Sequence, residues 1–263
     1  MQRVLRPIRL IWPFVWRDLA EQQAGSWLGL GWSFAQPLFL VLVYWLVFAT
    51  ILQVRVPGLA TGQELPFIVY LLSAFLPWVA LQESIARGAS AVVARRSVVK
   101  KVSFPVQIFP LATAGGVMLR YWAIYLVFLL VFFVWLGHVT ALQLFWLPFL
   151  LALQVVMTSG LVLFFSALTV YLRDLEHALA PLLQIVFFTS PVLYPLAAVP
   201  ESMQGWVYLN PYTVWAEAYH GVVLWDRAPS IPALIGLVAM AGLSLVLGRM
   251  VFRRLQPGFA DVL

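Results

Sequence analysis

No cysteine occurs among the 263 residues, only three are histidine, and only 10% carry charge. Without thiols there is no disulfide framework and no thiolate metal site, and the redox compartment stays open. His138, His177 and His220 fall in separate loops with no H-E-x-x-H pairing, so no metal site is expected. No G-x-x-x-x-G-K-[ST] segment exists, so nothing can cradle a nucleotide phosphate in the P-loop manner. Gly25, Gly29 and Gly31 do not fit G-x-G-x-x-G either, and small residues ahead of a span permit close helix packing. The shortage of charge excludes most, since soluble domains average about a quarter charged residues. Here 63% of residues are hydrophobic, and several runs exceed the ~18 apolar residues that mark a membrane span. The fold class is therefore an all-α polytopic membrane protein. Carboxylates near the midplane and repeated halves, the marks of ion-coupled transporters, are both missing. The energy for any transport must come from outside the chain.

Read in order, the chain predicts six transmembrane helices. Residues 1–28 set Arg3, Arg6, Arg9 and Arg17 among Leu5, Ile8, Trp12, Phe14 and Trp16, the pattern of an amphipathic helix lying in the interface. Such a pattern also suits nucleic acid, but directly before a span the membrane reading is preferred and no nucleic-acid partner is expected. No removable signal peptide is expected. The first span is 29–52 and the second 65–86, with Pro77 expected to kink it. Pro105 and Pro110 delay the third to about 115–136. The fourth is 141–171, the fifth starts near Ala178 and runs into Ser190-Pro191, the sixth is 231–252, and 253–263 is a tail. Between Pro200 and Pro232 the chain is too polar to span yet rich in aromatics. Asn210-Pro211 is a good helix start, so a short helix from Pro211 to about Trp225 is expected. At ~1.5 Å per residue it reaches only ~22 Å. It is read as a re-entrant periplasmic hairpin between spans five and six, with an ordinary loop carrying belt aromatics as the alternative. With no repeat or flexible linker, residues 1–263 form a single domain on this reading.

Most of the 16 basic residues fall in the N-terminal segment, the loop after span two, the corner after span four and the C-terminal end. The opposite loops hold only Arg55 and Arg227, and Arg120 sits within span three. The positive-inside rule then places both termini in the cytoplasm. Residues 87–110, with Arg87, Arg95, Arg96, Lys100 and Lys101, are the most basic stretch and are expected to dock onto another protein.

Glu83 and Arg120 are the intramembrane charges, each a turn or so inside the inner interface, where they can pair. Aromatic faces offer sugars a flat apolar surface with a polar tip. Tyr44, Phe48, Tyr70, Trp78, Phe188, Tyr194, Tyr212 and Tyr219 are the candidate pathway and gate residues. Packing between helices is their plainer role.

Several segments together resemble ABC-2 type polysaccharide exporter permeases. They are Arg17-Asp18-Leu19 with 25–38 (GSWLGLGWSFAQPL), Lys101-Val102-Ser103-Phe104-Pro105, Tyr171-Leu172-Arg173-Asp174-Leu175, Ser190-Pro191-Val192-Leu193-Tyr194-Pro195, Leu209-Asn210-Pro211, and the tail Phe252-Arg253-Arg254-Leu255. They occur in family order over nearly the whole chain. After Glu217-Ala218-Tyr219, where that family commonly carries Arg, stands His220.

The resemblance implies a homodimer of six-span subunits resting on two copies of an ABC ATPase subunit, which binds ATP and Mg. No cofactor is then expected in this chain, which is not itself an enzyme. The implied substrate is a polyprenyl-linked polysaccharide, O antigen foremost, crossing the bacterial inner membrane. By position the coupling element is 94–104, with Ala94, Val98, Val99, Val102 and Phe104 as the docked surface, and the outer gate is 190–219. Arg6, Arg9 and Arg17 would meet the carrier phosphates or, more plainly, anchor among membrane lipids. The competing readings are a stand-alone secondary transporter or flippase, and a membrane glycan ligase or polymerase using Glu201, Glu217, His220 and Asp226.

Overall fold

In a computed structural model of the protein, the structure describes residues 12–15, 30–54, 56, 58, 65–101, 105–137 and 139–263. These form only helices and their connections. In order they are α1 (Leu30–Tyr44, continued by π-helical turns Trp45–Ile51), α2 (Phe67–Ala94), α3 (Arg96–Lys101), α4 (Ile108–Leu136) and α5 (Ala141–Tyr171). Then come α6 (Asp174–Phe188), α7 (Glu201–Tyr208), α8 (Thr213–Leu224), α9 (Ile231–Leu255) and α10 (Phe259–Val262). Among the described residues four helices are long and apolar enough to cross a membrane: α2, α4, α5, and α9 with its extension to Val262. The apolar run Pro37–Ile51 and the helix α6 are shorter.

Burial sorts these helices. In α2, 72% of the apolar window is buried, against 17% in α9, so α2 is the hub and α9 turns most of its surface outward. Around α2 pack α4, α5 and α8, while α9 lies along α5. The α5–α9 crossing depends on missing side chains. A Cβ on Gly248 would collide with the Gly160 carbonyl, and one on Gly160 with the backbone at Ser244. Small residues let two backbones touch in a membrane, where no hydrophobic drive brings helices together.

Pro77 sits inside α2 without ending it. A proline there leaves the carbonyl four residues back without its amide, and the Tyr125 hydroxyl of α4 donates to that carbonyl, Ser73 O, at 3.0 Å. Gln154 of α5 donates to Pro77 O at 2.7 Å, and Tyr212 donates to Ala74 O at 3.2 Å. In lipid each such group needs an internal partner, so the proline site also fixes α2 to its neighbours.

Several boundaries differ from expectation. The helix α2 runs on to Ala94 instead of stopping at Ala86, which places Arg87 in the helix rather than in a loop. Gly88 packs there against Val162 of α5. The helix α4 begins at Ile108, not near Gly115, because Pro110 falls in its first turn, where the missing N–H has no intrahelical partner. The helix α6 begins at Asp174, ahead of Ala178, with Asp174 and Glu176 in its first turn, the end that favours negative charge. The helix α7 was not expected; it has no buried residue.

The helix α8 starts at Thr213, two residues late, and its lead-in is held by Asn210. The Asn210 side chain accepts from Tyr212 N at 2.8 Å and donates to Val186 O at 2.6 Å. The far end is tied too. Thr140 and Gln143 form a capping box at the start of α5, and Gln143 also donates to Val223 O at 3.3 Å. The Thr140 hydroxyl donates to Asp226 Oδ1 at 2.5 Å, and Asp226 takes a left-handed φ of 47° to meet it.

Candidate transport site

Glu83 lies on α2 one turn before Arg87, the spacing that lets side chains meet on a helix. Its Oε1 accepts from Arg87 at 3.2 Å and also from Arg120 of α4. Its Oε2 accepts from the Tyr121 hydroxyl at 2.6 Å. The Arg120 guanidinium also lies 5.0 Å from the Tyr121 ring centroid. The Arg120 side chain is 11% exposed and that of Glu83 26%, so the carboxylate is the wetter partner. The structure thus brings Glu83 and Arg120 together and adds two groups the sequence reading passed over. Arg87 was counted among loop charges, and Tyr121 carried no signal beyond standing next to Arg120.

This node forms one wall of a cavity of about 460 Å³ between α1, α2 and α6. Gln82, Glu83 and Arg87 line it together with Tyr44 and Gln184, and Phe75 and Phe187 add aromatic surface. The Tyr44 ring meets Phe75 and Phe187, each at 5.6 Å between centroids. The arrangement offers hydroxyl, amide and charged groups beside aromatic faces, which is what a polyhydroxylated or phosphorylated substrate needs at the boundary of water and hydrocarbon.

The other aromatic candidates divide. Phe48 stacks on Phe67 at 6.0 Å and continues the Tyr44 row. Phe188 is exposed, and Tyr194 is half-buried with its hydroxyl donating to Phe188 O. Trp78 stacks on Phe187 and meets Tyr212 edge-on at 4.6 Å. Tyr70 and Tyr219 are fully buried between packed helices. The Tyr70 hydroxyl donates to Pro191 O and Tyr194 O, which pins the 190–195 turn to α2. Tyr219 donates to Gln154. His220 is fully buried, its ring 4.0 Å from that of Tyr70. Neither Tyr70, Tyr219 nor His220 lines this cavity.

Residues 9–224 match the family described as ABC-2 type transporter. The chain belongs to that family. An ABC-2 type transporter is a membrane transport component, in keeping with the four long apolar helices. The O-antigen export system permease protein RfbA of Myxococcus xanthus is 29% identical over 254 residues, covering 96% of this chain and 94% of its own length. Two proteins of the same name from Klebsiella pneumoniae are 26% and 25% identical over 252 residues, covering 94% of this chain and 92% of their own length.

On the side of this ABC-2 chain where α2 ends, Ala94 is exposed and α3 presents two unlike valines. Val98 is 39% exposed. Val99 packs inward on a cluster containing Val92, Phe109, Phe252 and Phe259. Phe259 opens α10, so the chain's C-terminal turn underpins α3. Val102 and Phe104 lie outside the described residues, as do Arg6, Arg9 and Arg17.

Proposed function

We propose that this chain is the permease subunit of an ATP-driven exporter that carries a polyprenyl-linked polysaccharide, foremost O antigen, across the bacterial inner membrane. Near full-length similarity to proteins named O-antigen export system permease carries the reading. The missing phosphate-binding loop supports it, because ATP must then be hydrolysed on a separate subunit. In this reading two copies of the chain sit on two ATPase subunits, and both termini are cytoplasmic.

The helix α1 with its π-helical turns and α6 with the 190–195 turn complete the six spans. The pair α7 and α8 forms the re-entrant periplasmic hairpin. The segment 94–104 couples to the ATPase, with Ala94, Val98, Val102 and Phe104 at the contact and Val99 seating α3 from behind. Substrate enters beside α1 and α6, where the Glu83 node meets polar headgroups and the Tyr44–Phe75–Phe187 aromatics meet sugar faces or prenyl chain. Arg6, Arg9 and Arg17 neutralise carrier or lipid phosphate in this reading.

Deletion of the gene in an O-antigen-producing bacterium tests the proposal. Surface polymer is expected to vanish while lipid-linked polymer accumulates inside, and loss of the partner ATPase is expected to do the same. Unchanged surface polymer would sink the proposal, and export persisting without any ATPase would favour a flippase working alone.

A further inference from the structure

Two cavities open along one face of α9. The outer, about 450 Å³, meets α9 at Ala233 and Gly236, and the inner, about 340 Å³, meets it at Met240, Ser244 and Leu247. These positions are three or four residues apart and so form a single stripe. On the opposite wall α8 supplies Glu217 and Gly221 to the outer cavity, then Trp215 to the inner one, where Tyr212 just ahead of the helix joins it. From Ala233 to Leu247 the stripe runs roughly 21 Å at ~1.5 Å per residue, enough to descend through one leaflet's ~15 Å of hydrocarbon.

The two ends differ in chemistry. The inner cavity is walled by apolar side chains such as Leu81, Met157 and Phe165. The outer holds a carboxylate, Glu217, and a guanidinium, Arg227, which form no ion pair or side-chain hydrogen bond among the described residues. Beside them the buried indole N–H of Trp225 has no acceptor among the described residues. The Arg227 backbone is fixed, since its amide donates to Gly221 O at 2.8 Å and the neighbouring Asp226 is held by Thr140. A carboxylate with only the charge of a non-contacting guanidinium to balance it, and an N–H with no acceptor, are costly at the membrane boundary.

We infer that this groove binds a phospholipid with a zwitterionic phosphoethanolamine headgroup. The headgroup ammonium donates to Glu217, its phosphate accepts from Arg227 and Trp225 Nε1, and one acyl chain lies along α9 in the apolar cavity. A glycerol headgroup brings the phosphate but leaves Glu217 unmatched. A choline headgroup brings positive charge but no N–H for the carboxylate. The proposed orientation puts the site in the outer leaflet; the headgroup preference does not depend on it.

Native mass spectrometry of the full-length protein in detergent, given equal amounts of dioleoyl phosphatidylethanolamine, phosphatidylglycerol and phosphatidylcholine, tests this. The wild type is expected to retain the ethanolamine lipid several-fold over the other two. Glu217→Gln leaves Arg227 as the site's charge, so the preference should shift to phosphatidylglycerol. Gly236→Leu should lower retention of all three by filling the groove; a Cβ there meets nothing within 4 Å, so the helix tolerates it. Equal retention of the three lipids by the wild type, or a preference that both variants leave unchanged, overturns the assignment. So does retention of a soluble O-antigen oligosaccharide in place of any lipid preference. Because the readout is lipid retention, failure here leaves the export proposal standing, and loss of the export proposal leaves this one testable.

Discussion

The Tyr125 hydroxyl lies 3.0 Å from the Ser73 carbonyl, and it takes the place of the amide that Pro77 cannot supply. Tyr125 is 1% exposed, so no water replaces it. Tyr125→Phe keeps the ring and removes the donor. The carbonyl is then stranded, and a loss of about 1–3 kcal/mol is expected. A thermal unfolding midpoint in detergent, compared with Tyr121→Phe, measures it.

Glu83 anchors three donors, so its removal leaves Arg120 largely buried without its anion. Glu83→Ala is expected to lower stability by about 3 kcal/mol and to reduce export. The double variant Glu83→Ala with Arg120→Met should recover much of the stability. Export then separates the roles: if it returns with stability the node is scaffolding, and if it stays lost the charges act on substrate.

The two valines of α3 should part company. Val98→Asp leaves the fold intact and weakens ATPase binding, because the side chain faces outward. Val99→Ala thins the cluster with Phe109, Phe252 and Phe259 and lowers stability by about 1 kcal/mol, with the docked surface unchanged. Co-purification of the ATPase alongside a melting curve tests both.

Adding one methyl group should have opposite effects at two positions on α9. Gly248→Ala forces apart the α5–α9 contact and should destabilise by about 1–3 kcal/mol. Gly236→Ala meets open space and should stabilise the helix by up to about 1 kcal/mol. Paired melting curves check the contrast.

Much of the arrangement was legible in the residues. Apolar runs located α5 and the core of α9 almost to the residue, because length and hydropathy alone define a span. Scarcity made Glu83 and Arg120 stand out, since two opposite charges at one depth have reason to meet. Tyr121, Gln82 and Gln184 were not legible: a tyrosine or glutamine in a helix has no distinguishing signal until another helix is laid against it. Proline misled at one position and informed at another. Pro110 was read as a barrier, yet in a first turn it costs nothing. At Pro77 the residues gave reason to expect a kink but not the answer to its missing amide: the hydroxyl that serves the Ser73 carbonyl comes from Tyr125, 52 residues after Ser73. The stretch after Pro200 was too polar for a span yet rich in aromatics, and which of its residues would be covered was not legible: α8 is buried and α7 lies exposed.

The helix α8 is fastened at both ends, by Asn210 to the end of α6 and by Val223 and Asp226 to the start of α5. It therefore acts as a crossbar between two uprights. It cannot swing on a hinge of its own; widening on that side must either shift α5 and α6 together or break a fastening. The fastening to break first is the exposed one between Thr140 and Asp226, and valine at position 140 would leave that end of the crossbar held by the buried bond from Gln143 to Val223 O alone.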